Sequence, residues 1–277
     1  MKKTTKKILI AVLIVALLGI FLAVQLSQGP LSSKFTLASL SSEPQRFIAH
    51  RGFSSVYPEN TIPSIEGAVQ NGFYGCEFDI HTTKDGVWIL NHDSSIDKMT
   101  DGSGDISSYT YEELLEYNID NGNGIENYRN LKLPKLEDAL KLFTDNETVP
   151  FIEIKGYDTK SFSELLKLLD DAKLIDRAVI ISFDMDALLA VRALDEDISL
   201  MYVTNHLTKE DVDICINNGN IGVDINGGLI FKMADAVKYA QENGLECAAW
   251  TIDIPLLADI LNLYGIKNMT TNRIMPD

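Results

Sequence analysis

Nine short apolar runs alternate with helix-like segments from residue 46 onward, and no other feature restricts the fold of this chain so tightly. The runs fall at 47–50, 75–80, 87–91, 150–154, 178–182, 200–204, 221–225, 246–251 and 267–271. Helix-like stretches occupy 62–71, 135–143, 161–172, 185–193, 209–217, 231–243 and 255–263. Strands alternating with helices pair in parallel, because each crossover returns the chain to its starting edge and lays a helix on the sheet. The run at 87–91 is surplus to that scheme: Thr83-Lys84-Asp85-Gly86 is a tight turn with an Asp-Gly pair, so it returns antiparallel to the strand before it. Eight β/α units in about 230 residues match a (β/α)8 TIM barrel. A doubly wound open sheet is the alternative, but no Gly-x-Gly-x-x-Gly follows the first strand. Thr61 ahead of Pro63 and the close Glu242-Asn243-Gly244 supply helix start and stop signals.

Residues 94–133 interrupt the alternation with several glycines and asparagines, one short helix candidate at 111–117 and little apolar periodicity. They read as a small insertion after the hairpin on the second strand. An insert there overlies the catalytic face of a barrel and shapes its entrance.

Four lysines among the first seven residues precede an uncharged apolar stretch at 8–24. At 1.5 Å per residue it extends roughly 26 Å, near the lower limit for a membrane span. A signal peptide is the competing reading, but no A-x-A-like cleavage triple follows, and Pro30 comes directly after the small Ser27 and Gly29. The expected organisation is therefore a transmembrane anchor at 1–24, a linker at 25–45 and a barrel at 46–277, with the barrel outside the cell membrane. Cleavage would instead leave it secreted. The formal charge is −16, and removing the four amino-terminal lysines leaves −20 on the remainder. So acidic a domain does not bind nucleic acid electrostatically, and an anionic substrate needs a local cation. Cys76, Cys215 and Cys247 lie in apolar contexts and read as buried thiols, with no zinc-type spacing around them.

Active groups of a barrel come from the carboxyl ends of its strands. There stand His50 and Arg51 in FIAHRG, Glu77 and Asp79 in GCEFDIH, Glu153 and Lys155 in FIEIK, and Trp250 with Asp253, while His92 in WILNHD follows the return arm. Side chains alternate along a strand, so Phe78 and Ile80 face the helices and Glu77 and Asp79 face the interior. Unpaired charge there is strongly unfavourable, and a divalent cation removes the penalty. A carboxylate–Arg/Lys network is the weaker alternative. Gly52 permits close backbone approach, and Arg51 offers a fork to a phosphate. His50 and His92 are acid–base candidates, although His92 would also suit a turn; His81 and His206 lack supporting chemistry and read as structural. The set indicates metal-assisted chemistry on an anion.

Taken in order, FIAHRGFSSVYPENT, GCEFDIHTTKDGVWILNHD and FIEIK resemble the motifs of the glycerophosphodiester phosphodiesterase family, over about residues 46–275. The resemblance implies a barrel with a small insertion and a divalent cation, Ca²⁺ or Mg²⁺. By position, Glu77, Asp79 and Glu153 would be the ligands, His50 and His92 the acid–base pair, and Arg51 and Lys155 the phosphate contacts. Glu59 and Asn60 of PENT would stand near the metal or behind its ligands, and Trp250 would line the pocket against glycerol or the alcohol. The implied reaction is hydrolysis of glycerophosphodiesters to glycerol 3-phosphate and an alcohol. A related phosphodiesterase acting on phospholipid head groups, or a non-catalytic binder of polyol-phosphate polymer, are the alternatives; no protein partner is indicated. Where the family often ends in a Thr-Asp pair, this chain has Thr271-Asn272.

Overall fold

The computed structural model describes residues 44–276 and the backbone of Leu31 and Ser32. Nine strands follow in order: β1 Arg46–Ala49, β2 Gly75–Thr82, β3 Trp88–Leu90, β4 Val149–Gly156, β5 Val179–Ser182, β6 Ser199–Thr204, β7 Gly222–Asn226, β8 Cys247–Trp250 and β9 Asn268–Thr271. All neighbours pair in parallel except β3, which folds back on β2 through the Lys84–Gly86 turn. Pairing of β1 with both β9 and β2 closes the eight parallel strands into a barrel, with β3 outside the ring. Ile274–Met275 adds a two-residue parallel pairing with Leu31–Ser32.

The helices between these strands are α1 Ile62–Gln70, α2 Tyr111–Leu114, α3 Leu136–Leu140, α4 Phe162–Asp171, α5 Met185–Arg192, α6 Lys209–Asn217, α7 Ile230–Glu242 and α8 Pro255–Leu263. Thr61 caps α1 reciprocally with Ser64, and Thr208 caps α6 with Asp211. Such caps satisfy amide groups that a helix start leaves without carbonyl partners. The anchor expected at 8–24 lies outside the described residues; among those described, no helix is long and apolar enough to cross a membrane.

Strand alternation divides the apolar residues between two layers. Phe78, Ile80, Ile152, Ile180 and Val223 pack outward against helix residues such as Phe143, Leu165, Leu188 and Val237. Ile48, Phe151, Val179, Ile181, Met201, Val203 and Ala248 fill the barrel itself. All three cysteines are buried free thiols.

The segment between β3 and α3 has a core of its own, made by Ile96, Met99, Ile106, Leu114, Ile119 and Leu133 around Ile89. Sequence periodicity missed it because turns bring these residues together, and no regular spacing records that. The helix expected at 111–117 is a single turn, α2, capped by Thr110 and Glu113. The segment is tied to the loop after β1: Asn123 Nδ2 donates to the Ser54 carbonyl at 2.7 Å, and Lys98 Nζ to Glu59 Oε1 at 2.8 Å.

Candidate active site

Glu77 and Asp79 on β2 and Glu153 on β4 point into the barrel, and one oxygen from each lies within 4.8 Å of the others. The register makes this necessary: Glu77 pairs with Phe151 and Asp79 with Glu153, so all three carboxylates stand on the same face of adjacent strands. They are nearly inaccessible, at 2%, 1% and 7% exposure.

Part of the negative charge is balanced within the site. Lys155 Nζ lies 2.9 Å from Glu153 Oε1 and 3.6 Å from Asp79 Oδ1, and Arg51 Nε lies 3.6 Å from Asp79 Oδ2. The two cations leave a third carboxylate unbalanced, and Glu77 Oε1 is buried without a hydrogen-bond partner. Burial, then the neighbouring Asp79 and Glu153, push the Glu77 carboxyl well above its ordinary range. Burial and Asp79 likewise push Glu153 up to about 7. Three converging carboxylates with an orphaned oxygen fit a hard divalent cation, which oxygen ligands prefer to hold. The ion-pair network and this cation fit coexist here; the sequence reading set them as alternatives.

The backbone around β1 is shaped to serve the cluster. Arg51 N donates to Glu77 Oε2 at 2.8 Å, and Gly52 N donates to the Glu77 carbonyl at 2.9 Å. Gly52 has φ +76°, and a Cβ there would stand 2.2 Å from Ser64 Oγ, so only glycine fits. Asn60 grips Asp79 on both sides, its Nδ2 donating to Oδ2 at 2.8 Å and its Oδ1 accepting from the Asp79 amide at 2.9 Å. Glu59 stands further out, bridging Arg51 at 3.1 Å and Lys98.

Two imidazoles share one cavity of about 290 Å³ with Arg51, Glu77, Glu153 and Lys155. His50 Nε2 lies 3.9 Å from Glu77 Oε2. Its Nδ1 contacts Asn272 Oδ1 at 2.8 Å, while Asn272 N and Nδ2 donate to the two oxygens of Asp253 at 2.8 and 2.7 Å. Those donations fix the orientation of the amide, so its oxygen must accept from His50 Nδ1–H, and a neutral ring carries its lone pair on Nε2. Burial, then Arg51, hold the His50 pKa below its ordinary value, which favours that neutral form.

His92 is held differently. Its Nδ1 contacts Asp93 Oδ1 at 2.6 Å, a bond that lowers the Asp93 carboxyl. Asn91 Nδ2 ties the loop by donating to the carbonyls of Asp93 and Ser95. His81, given no role by the sequence, bonds the His92 carbonyl through Nε2 at 3.1 Å. His206 is exposed and does not line this cavity.

Trp250 and Phe183 contribute aromatic walls, their rings edge to face at 5.3 Å. Asp224, missed at the sequence level, also lines the cavity. Its signal was legible: in Gly-Val-Asp-Ile-Asn an acid takes the inward position of an apolar strand, by the same parity that singles out Glu77. Asp253, expected at a strand end, acts through Asn272.

An eight-stranded barrel that gathers three carboxylates, two imidazoles and two cationic side chains at the carboxyl ends of its strands is a scaffold for chemistry on an anion. The chain belongs to the glycerophosphoryl diester phosphodiesterase family, whose pattern matches residues 50–275. It is 33% identical over 153 residues to glycerophosphodiester phosphodiesterase 1 of Bos taurus, a match covering 54% of this chain and 46% of that protein. The chain thus spans about half the length of that relative. A glycerophosphodiester phosphodiesterase of Caldanaerobacter subterraneus is 28% identical over 217 residues, covering 74% of this chain and 85% of the relative. In fold the chain is similar to an Oleispira antarctica phosphodiesterase solved with its product sn-glycerol 3-phosphate, with TM-score 0.76, 24% identity, and coverage of 87% of this chain and 96% of that one.

Proposed function

We propose that the protein hydrolyses glycerophosphodiesters to glycerol 3-phosphate and an alcohol. The observation that carries this reading is the placement of two differently held imidazoles in one cavity with Glu77 and Glu153 of the carboxylate cluster. Glu77, Asp79 and Glu153 would hold a divalent cation, Ca²⁺ or Mg²⁺. Bound there, such a cation supplies Lewis-acid charge toward phosphate oxygens.

The chain's own groups account for the rest. Arg51 and Lys155 line the cavity and present positive charge to the substrate phosphate. His50, with its lone pair on Nε2, accepts the proton of the attacking hydroxyl, which is water or the glycerol 2-hydroxyl. His92, with Asp93 on Nδ1, returns a proton through Nε2 to the departing alkoxide as the P–O bond breaks. Such acid–base assistance is worth about 10² to 10⁴ in rate. A second cavity of about 620 Å³ adjoins His92, Asp93 and Phe183 and offers room for the alcohol. Residues 8–24 would anchor this barrel at the outer face of a membrane.

The test is product analysis. The metal-loaded protein is incubated with a glycerophosphodiester and, separately, with intact phospholipid. Release of glycerol 3-phosphate from the former supports the reading; cleavage of the lipid alone overturns it.

A further inference from the structure

Lys98 stands in the segment between β3 and α3, outside the lining of the catalytic cavity, and its Nζ lies 2.8 Å from Glu59 Oε1. The same oxygen accepts from Arg51 Nη1 at 3.1 Å. One carboxylate oxygen thus joins a cation of the insertion to a cation that lines the cavity.

Arg51 has little else to aim its side chain. Its backbone is fixed, with φ +55°, its amide donating to Glu77 Oε2 at 2.8 Å and its carbonyl accepting from Asn60 N at 3.0 Å. The long side chain beyond that backbone keeps its own rotamers to settle. Among the described residues, the guanidinium makes its one hydrogen bond to Glu59, while Nε, 3.6 Å from Asp79 Oδ2, is buried without one. A carboxylate holding Arg51 by itself would also cancel the positive charge that it orients. Lys98 on the same oxygen offsets this, because the two cations outweigh the one anion and Arg51 keeps its field toward the cavity.

The insertion is seated so that Lys98 meets Glu59 in one register. Gly122 has φ +106°, and a Cβ there would stand 2.8 Å from Pro58 Cα, so the turn lies directly on the residue before Glu59. Asn121 Nδ2, next to that glycine, donates to the Lys98 carbonyl at 2.8 Å. The Lys98 side chain remains 47% exposed, and an ion pair so open to water adds little to the stability of the fold. Its effect falls on the aim of Arg51.

We infer that Lys98 is a positioning residue: through Glu59, the insertion sets the Arg51 guanidinium for the substrate phosphate. The inference rests on the reading of Arg51 as a phosphate contact.

Calorimetric titration of the metal-loaded full chain with sn-glycerol 3-phosphate tests it by a double-mutant cycle. Lys98→Met is expected to weaken binding by about three- to tenfold with no change in thermal midpoint, and Lys98→Arg to keep most of the parent's affinity. Arg51→Met is expected to weaken binding by about tenfold or more. Adding Lys98→Met to Arg51→Met should cost nothing further, since a residue that acts through another loses its effect once that one is gone. A Lys98→Met protein with the parent's affinity, or losses that multiply in the double variant, would overturn the inference while leaving Arg51 as a phosphate contact. An Arg51→Met protein that binds like the parent removes the phosphate reading and the inference with it. Hydrolysis is scored separately: a parent that shows the coupling but does not cleave a glycerophosphodiester retains the positioning role and loses the catalytic reading.

Discussion

Asn272 turns its side-chain oxygen to His50 Nδ1 at 2.8 Å and its amide nitrogen to Asp253 Oδ2 at 2.7 Å. The His50 proton is thereby placed by a neutral acceptor, which is itself oriented by a carboxylate one step further away. Asn272→Ala should lower kcat by about ten- to hundredfold with a smaller change in KM, since the ring loses its tautomer and its aim. Asn272→Asp sets a carboxylate beside the ring, favours the imidazolium and should move the acid limb of the kcat/KM profile to higher pH. An Asp variant with the parent's profile would show that position 272 does not govern His50.

The two histidines should separate by leaving group. His92→Ala should lose about 10² to 10⁴ in rate on a diester with an alkyl leaving group and far less on a p-nitrophenyl diester, whose phenolate leaves without a proton. His50→Ala should lose activity on both. Equal losses for His92→Ala on the two substrates would remove it from the acid role.

Metal affinity and pH should be linked through Glu153. Its folded pKa of about 7 stands above the ordinary 4.5 because burial and Asp79 disfavour its charge. The metal-free fold therefore binds this proton more tightly than the unfolded chain does. That contribution is complete below the unfolded value and is lost as pH rises through about 7. A cation must displace the proton, so the thermal upshift on adding Ca²⁺ or Mg²⁺ to chelated protein should be larger at about pH 8 than at about pH 5.5. Glu153→Gln should shrink the upshift at both; an upshift independent of pH in the parent would contradict the ligand assignment.

Gly52→Ala should destabilise the fold by about 2 kcal/mol or more and weaken cation binding together. The substitution strains a φ of +76° and drives Cβ to within 2.2 Å of Ser64 Oγ, next to the amides that hold Glu77. Denaturant unfolding combined with cation titration measures both effects, and a variant with unchanged midpoint and affinity would refute the packing argument.

The alternation of strands and helices was legible because each barrel strand buries an apolar face in both layers and each helix carries a stripe against the sheet. The Asp85-Gly86 turn identified β3 as the return arm, and the pairing of Ile80 with Leu90 agrees. The core around Ile96 and Met99 was not legible, since its members meet through turns. Asn272 was equally obscure: in the chain it reads as a departure from a familiar acidic position, and its contact with His50 spans 222 residues.

Local chemistry in the chain decided which side chains lie on the inner face of each strand, since alternation depends only on the planar, extended backbone. It thereby selected Glu77, Asp79 and Glu153, and the same parity extends to Asp224. Closure of the barrel decided how those faces align. Register between β2 and β4 brings three acids to within 4.8 Å, and the return of β9 to β1 sets Asn272 against His50. Neither relation can be written in local sequence, because strand pairing is chosen by the packing of the whole ring, and one residue of slip would turn the same acids toward the helices.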